Sequence, residues 1–182
     1  MTIKQKFGAP VKFKKAKLPS RKNFRGQHVV LEPIIISRHT KDLYNNFLRD
    51  KKNIIWEYLP YGPFKSYGSF KKWLKSFCLN KDPFFYAIYA KRYKQYCGMA
   101  SYLRITPEHG SIEVGHINYS PILQNTAEGT ETMYLIMKNA FEVLGNRRYE
   151  WKCNNLNTAS KNAAKRLEFK FEGVFRQMFV FK

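Results

Sequence analysis

The residues best suited to chemistry lie in one stretch, Ile112-Glu-Val-Gly-His-Ile-Asn-Tyr-Ser-Pro-Ile-Leu-Gln-Asn-Thr-Ala-Glu-Gly-Thr130. It reads as a strand ending near Tyr119, a loop, and a helix opening close to Thr130. Thr126, Ala127, Gly129 and Thr130 are small, and small residues let a ligand approach the backbone. The first turn of a helix leaves amide groups unpaired and directs its positive dipole end outwards. A phosphate placed there is stabilised without any lysine. An ordinary strand–loop–helix connection with a capping threonine gives the same pattern, so the residues alone leave both readings open.

The elements that would position this stretch follow from periodicity. His28–Pro33 is a short β-rich run stopped by proline. Ser37 can cap a helix over Arg38–Asp50, with Leu43, Phe47 and Leu48 on one face. A second amphipathic helix fits Ser66–Leu79, carrying Phe70, Trp73, Leu74 and Phe77. Phe84–Ala90 and Tyr96–Ile105 form a hairpin, and Ser111–Asn118 alternates as a strand should. Thr130–Leu144 is helical and closed by Gly145. Arg148–Cys153 reads as a strand, Thr158–Leu167 as a helix, and Phe169–Phe181 as a final apolar strand. Only a mixed α/β (α+β) class accommodates this order. The late crossover helices imply parallel pairing there, and the hairpins imply antiparallel pairing earlier.

Composition narrows the class. The 182 residues suit one domain, and 44% hydrophobic with 16% aromatic content suffices for a core. No apolar run approaches the ~18 residues of a membrane span, and the N-terminus lacks the apolar stretch of a secretory signal. Cys78, Cys97 and Cys153 show neither zinc spacing nor a disulfide framework, which points to reduced thiols in the cytoplasm. Lys and Arg total 33 against 13 Asp and Glu, a formal +20. Residues 1–26 hold nine of the basic residues (Lys4, Lys6, Lys12, Lys14, Lys15, Lys17, Arg21, Lys22, Arg25) and no acid. They read as a flexible basic arm ahead of a domain over 27–182. Such a field attracts polyanions, including ribosomal or other RNA, or the phosphates of a coenzyme, without choosing among them. A solubilising role explains the same charge.

Three motifs in order carry a family resemblance. Gln124-x-x-Ala127-x-Gly129 resembles the pyrophosphate loop of the GNAT acetyltransferase superfamily. Arg147–Ser160 resembles that superfamily's next strand and its N-x-x-S element. Ala163-Ala-Lys-Arg-Leu-Glu-Phe169 with Glu172-Gly173 resembles its closing motif. The similarity runs over roughly residues 28–182 and points to the RimJ/RimL-like branch, whose members acetylate protein N-termini. It implies a mostly antiparallel central sheet flanked by helices and splayed where acetyl-CoA enters. Acetyl-CoA would be the cosubstrate, with no metal and no membrane association. A protein or peptide amine would be the acceptor, and a homodimer is compatible with the reading.

The resemblance also assigns positions. The strand backbone around His116, Ile117 and Asn118 would pair with the pantetheine arm as an added strand does. Backbone amides of Gln124, Asn125, Thr126, Ala127, Glu128, Gly129 and Thr130 would hold the pyrophosphate. Asn157 would bond the pantetheine, and Ser160 would lie near the thioester sulfur and protonate the departing thiolate. The acceptor ammonium must lose a proton, with Glu113 as candidate base and His116 as reserve. The oxyanion would be met near Asn118. Rival roles exist: Glu113 as a solvent-facing strand residue, His116 as structural, Asn157 and Ser160 as helix caps. Trp56, Tyr58, Tyr61 and Phe64 serve equally as an acceptor pocket or as core.

Three departures from the family pattern set further expectations. Ala127 replaces the middle glycine of the loop, and would be strained if that position needs positive φ. Glu168 replaces a glycine expected after Leu167. The chain stops at Lys182 where relatives continue into another strand, so a missing last strand, an exposed sheet edge and reduced activity are expected. The alternative function is a basic RNA- or ribosome-binding protein that keeps the fold without turnover.

Overall fold

The computed structural model describes residues 8–180. Its core is a six-stranded sheet ordered as in the sequence: β1 (Phe24–Arg25), β2 (Val29–Pro33), β3 (Phe84–Ala90), β4 (Gln95–Thr106), β5 (Ser111–Tyr119) and β6 (Arg148–Trp151). Every neighbour pairs antiparallel except β5 and β6, which run parallel. That exception has a topological cause: the connection contains a helix, and only a crossover of that length can return a strand in the same direction.

Both faces of the sheet are covered, so β3 reads as a continuous apolar run. On one face Val29, Leu31, Tyr86, Ile88, Tyr102, Ile112 and Val114 meet Met133 and Ile136 of α3 (Ala127–Lys138). On the other, Phe85, Ala87 and Met99 meet Leu43 and Phe47 of α1 (Ile36–Phe47) and Phe70 and Leu74 of α2 (Tyr67–Phe77). Each Val, Leu, Ile, Phe or Met among them contributes roughly 1.5–3 kcal/mol through removal from water. Helix α4 (Thr158–Arg166) differs, because none of its residues is fully buried.

Several local expectations need correction. Ser37 does not cap α1; the helix begins at Ile36, and the buried His39 instead accepts the Ile35 amide through Nδ1 at 3.1 Å. Ser66 does cap α2, in a reciprocal arrangement with Ser69. The third helix begins at Ala127, three residues before Thr130, because Thr126 supplies its cap. Phe169–Val180 carries no strand, and Phe171, Val174 and Phe175 are exposed, so the apolar pattern there does not become sheet; Phe181 and Lys182 lie outside the described residues.

The basic arm is not loose over its described length. Phe13 fills the space a Cβ on Gly110 would need, and Ala16 is buried. The Ala16 and Lys17 amides donate to the carbonyls of Pro107 (3.1 Å) and Leu144 (2.7 Å). Arg21 Nη2 donates to the Ile34 carbonyl at 2.9 Å, and Phe24–Arg25 joins the sheet. The carboxylate of Glu131 then accepts the amides of Gln27, His28 and Val29 at 2.7, 2.7 and 2.9 Å. The segment packs because its few apolar residues and its backbone groups find partners, which outweighs its high charge.

Candidate active site

The site starts from a mismatch in strand length. The parallel register of β5 and β6 ends at Val114 opposite Trp151, while β5 continues to Tyr119. Immediately beyond Val114 the β4–β5 register shifts: Ser101 faces Gly115 but Met99 faces Asn118. The extra residue is a β-bulge, and His116 takes a left-handed φ of 50° within it. A bulge sharpens twist, so β5 turns away from β6 where the family resemblance requires a gap. The backbone of Gly115–Tyr119 loses its β6 partner there.

The gap leads to the N-terminus of α3. Thr126 caps it, accepting the Gly129 amide on Oγ1 at 3.1 Å and donating to the Leu123 carbonyl at 2.7 Å. The amides of Ala127 and Glu128 have no protein acceptor among the described residues. Ala127 is exposed in the first helical turn and its φ is not positive; the left-handed residue is Asn125, at φ 56°. The alanine is therefore unstrained. Gly129 is needed for a different reason than expected. A Cβ there would meet the Leu123 carbonyl at 2.8 Å and the Tyr119 ring at 3.0 Å, so the glycine serves packing and leaves no room for a ligand. The Gln124 side chain folds back, donating Nε2 to the Tyr119 carbonyl at 3.0 Å.

Helix α4 closes the other side. Asn157 caps it, accepting the Ser160 amide at 3.0 Å, as the rival reading held. Ser160 Oγ accepts the Trp151 indole N–H at 2.9 Å, which leaves its own hydroxyl proton free to donate elsewhere. Arg166 Nη1 donates to Thr130 Oγ1 at 2.9 Å, placing an exposed guanidinium beside the first turn of α3.

Glu113 is not solvent-facing: it is 2% exposed, on the sheet face that α1 and α2 cover. Both its oxygens are engaged, Oε1 by Arg104 Nη2 at 2.6 Å and Oε2 by Arg104 Nε at 2.7 Å and Lys152 Nζ at 2.6 Å. Lys152 also binds Glu150. Burial alone would raise the Glu150 carboxyl, but hydrogen bonds from Lys152 and Arg148 prevail and pull it down to about 2. Arg104 reaches this position from a second bulge, where it takes φ 47°. The two amides freed there, on Arg104 and Ile105, donate to Asp82 at 3.0 Å each.

His116 faces the same side as Glu113, inside an aromatic enclosure. Its ring lies 5.6 Å from Tyr61, 5.4 Å from Phe77 and 5.3 Å from Phe85. Its Nδ1 is 3.0 Å from the Tyr61 hydroxyl. Burial, aided by the nearby Arg104 charge, pushes its pKa down to about 4, so the ring is neutral at neutral pH. Two residues further on, Asn118 is 2% exposed, and neither its Nδ2 nor its Oδ1 has a protein partner. A buried amide without partners is costly and marks a place where a ligand or water completes the bonding. Of the aromatic candidates, Trp56 is core and Tyr61 lies at the site.

Glu113, His116 and Asn118 thus lie along β5, Ser160 is tied to the last residue of β6 through Trp151, and Ala127 to Thr130 open α3. The partner Arg104 carries no local spacing signal, and although Trp151, Lys152 and Arg166 fall within the quoted motifs, their contacts to Ser160, Glu113 and Thr130 do not follow from them. Arg104 and Glu113 meet only through the antiparallel register that sets Leu103 opposite Glu113.

The donor set fits a nucleotide-linked thioester: open amides for a diphosphate, an unpaired strand edge for an extended amide chain, and a neutral polar end. Comparison with known proteins agrees. Residues 28–170 match the model of the acetyltransferase (GNAT) domain. A GCN5-related N-acetyltransferase from Brucella melitensis superposes with a TM-score of 0.91 at 35% identity, over 94% of this chain and 77% of that one. A GNAT-family structure from Chromobacterium violaceum gives 0.88 at 38% identity, over 100% and 90%. An acetyl transferase from Salmonella typhimurium that modifies the N-terminal serine of ribosomal protein L7/L12 shares the fold, with a TM-score of 0.68 at 19% identity over 86% and 89%. No curated protein matches by sequence. GNAT domains use acetyl-CoA as cosubstrate, and the chain belongs to this acetyltransferase family.

Proposed function

We propose that the chain transfers the acetyl group of acetyl-CoA to the α-amine of a protein or peptide, by direct attack in a ternary complex. The observation that carries this is the state of the two candidate bases among the described residues: neither is both strong and free. Glu113 is held by a bidentate guanidinium and an ammonium, and His116 is a weakly basic imidazole in an apolar enclosure. At pH 7 roughly one α-amine in seven is already neutral, against about one lysine ε-amine in 2,500. A site without a strong base serves the first and fails the second.

In this reading the acceptor arrives neutral. Its nitrogen adds to the acetyl carbon, the carbonyl electrons moving onto oxygen, and the carbon–sulfur bond breaks as that oxyanion collapses back to a carbonyl. The nitrogen's proton becomes far more acidic once the nitrogen–carbon bond has formed, and neutral His116 accepts it. Ser160, whose oxygen already accepts the Trp151 N–H, donates to the departing sulfur. Backbone groups near Asn118 meet the oxyanion. The amides of Ala127 and Glu128, with Arg166 beside them, hold the diphosphate, and Asn118 completes its bonding on bound substrate. Glu113 keeps Arg104 and Lys152 in place. Exposed Lys12, Lys14 and Lys22 on the docked arm favour an acceptor presented near a polyanion, as on a ribosome. Three free cysteines suit a reducing cytoplasm.

The test compares initial rates on two peptides, one with a free α-amine and one N-blocked with a single lysine. The α-amine peptide should be preferred by at least about a hundredfold, with kcat/KM rising at unit slope to about pH 8, the amine's own pKa. A preference for the lysine peptide overturns the reading.

A further inference from the structure

Helix α2 has two faces with different roles. Phe70 and Leu74 are buried, and Trp73 and Phe77 reach the rings around His116. On the opposite side Lys71, Lys72 and Lys75, with Gly68 and Ser76, line an open depression of about 530 Å³. From Pro60 to Lys81 the chain carries five lysines and no acid. Among the described residues none of Lys71, Lys72 and Lys75 has an ion-pair partner. Lys71 and Lys75 stand one turn apart, where like charges repel. One turn N-terminal of this cluster Tyr67 is 41% exposed, with Lys71 Nζ 6.0 Å from its ring centroid and Tyr44 holding it edge-on at 5.6 Å. A Cβ on Gly68 would meet nothing nearer than Ser66 Oγ at 3.8 Å, so the floor of the depression is open.

We propose that this outer face of α2 is a docking surface for single-stranded RNA. The lysines take backbone phosphates, and the propped Tyr67 ring offers a stacking platform for a base. A membrane surface fits less well, because α2 spends its apolar stripe on the core and has none to insert. An acidic protein fits less well, because the depression itself is lined by lysine, glycine and serine and the one ring beside it, Tyr67, stands exposed at its end instead of within an apolar patch. The surface lies one helix thickness from the His116 enclosure, so RNA held there would present a bound protein's terminus to the site.

The experiment measures binding of a fluorescent 20-nucleotide mixed-sequence RNA to the full chain by anisotropy, from 50 to 200 mM salt. The triple variant Lys71→Gln, Lys72→Gln, Lys75→Gln should lower the log–log salt slope by about 2 and weaken binding at low salt. A control triple, Lys41→Gln, Lys51→Gln, Lys52→Gln, removes the same charge from another surface and should change the slope by less than about 0.5. Tyr67→Ala should weaken binding roughly five- to tenfold with the slope unchanged. Thermal melts establish that each variant is folded. Three outcomes overturn the proposal: equal effects of the two triples, no effect of the α2 triple, or no effect of Tyr67→Ala. Binding of phosphatidylserine vesicles that displaces the RNA, with the same lysine dependence, overturns it as well.

Discussion

The two helices that flank the gap, α3 and α4, are built on different terms. Helix α3 buries Met133 and Ile136 against the sheet, and Tyr102 caps its carbonyl at Ile136 from within the core. Helix α4 buries nothing completely and is held by polar contacts: the Asn157 cap, the Trp151–Ser160 bond and the Arg166–Thr130 bond. The segment after it is tied back by Arg148 to Glu172 at 2.7 Å, an exposed pair worth little on its own. One wall of the site is therefore a rigid part of the core. The other is weakly anchored and gains most from a ligand that bridges both.

The sharpest way to break that contrast is in the core. Ile136→Ala removes a fully buried side chain of α3 and should cost about 3 kcal/mol in urea unfolding, whereas Leu156→Ala, ahead of α4 and 77% exposed, should cost less than about 0.5 kcal/mol. If the two costs are similar, the division into firm and loose walls is wrong. A smaller effect separates binding from folding. Ala127→Glu sets a carboxylate at the first position of α3, where the helix tolerates it but a diphosphate does not. Calorimetry should show acetyl-CoA affinity falling by about 3 kcal/mol, roughly a hundredfold, with the melting temperature unchanged. Unchanged affinity removes the diphosphate from this site.

A third prediction concerns pH. The folded pKa of His116 is pushed down to about 4, below its unfolded value, so its contribution to stability is complete above about pH 6.5 and is lost as pH falls through 4. Allowing for partial exposure, the loss should be on the order of 2 kcal/mol, read as the difference in unfolding free energy between pH 7 and pH 4. His116→Phe should flatten that acid limb; if the limb persists, another group carries it. The smallest effect sharpens the picture of α4. Glu168 takes a left-handed φ of 64° at the end of that helix. Glu168→Gly relieves the strain and should stabilise the fold by about 1 kcal/mol in thermal melts, and no gain would show the strain to be absorbed elsewhere.

Much of the scaffold was legible because it is written in local periodicity. The Phe84–Ala90 strand, the Ser66 cap and the Phe70–Leu74 face of α2 follow from residues close in sequence. Boundaries failed at the helix starts: Thr126 starts α3 early, and α1 begins after Ile35 with no side-chain cap, His39 accepting only the amide of Ile35 itself. The apolar run after Phe169 had the right composition for a strand, but pairing also requires a neighbour in register, which periodicity does not report. At the site, the small-residue turn from Gln124 to Thr130 and its capping threonine were legible. The reason for Gly129 was not, because the Tyr119 ring that excludes a Cβ comes from the preceding strand.

By itself the chain of residues determined the order of elements, the small-residue turn before α3 and a strongly basic surface. Those properties depend on neighbours a few positions apart or on simple counting. Tertiary structure decided the protonation chemistry. Both Glu113 oxygens became engaged because strand register brings Arg104 and Lys152 to them, and His116 became neutral because Tyr61, Phe77 and Phe85 converge from three elements. Ionisation depends on every group within a few ångströms, whatever its distance along the chain, so it takes shape only when the sheet closes.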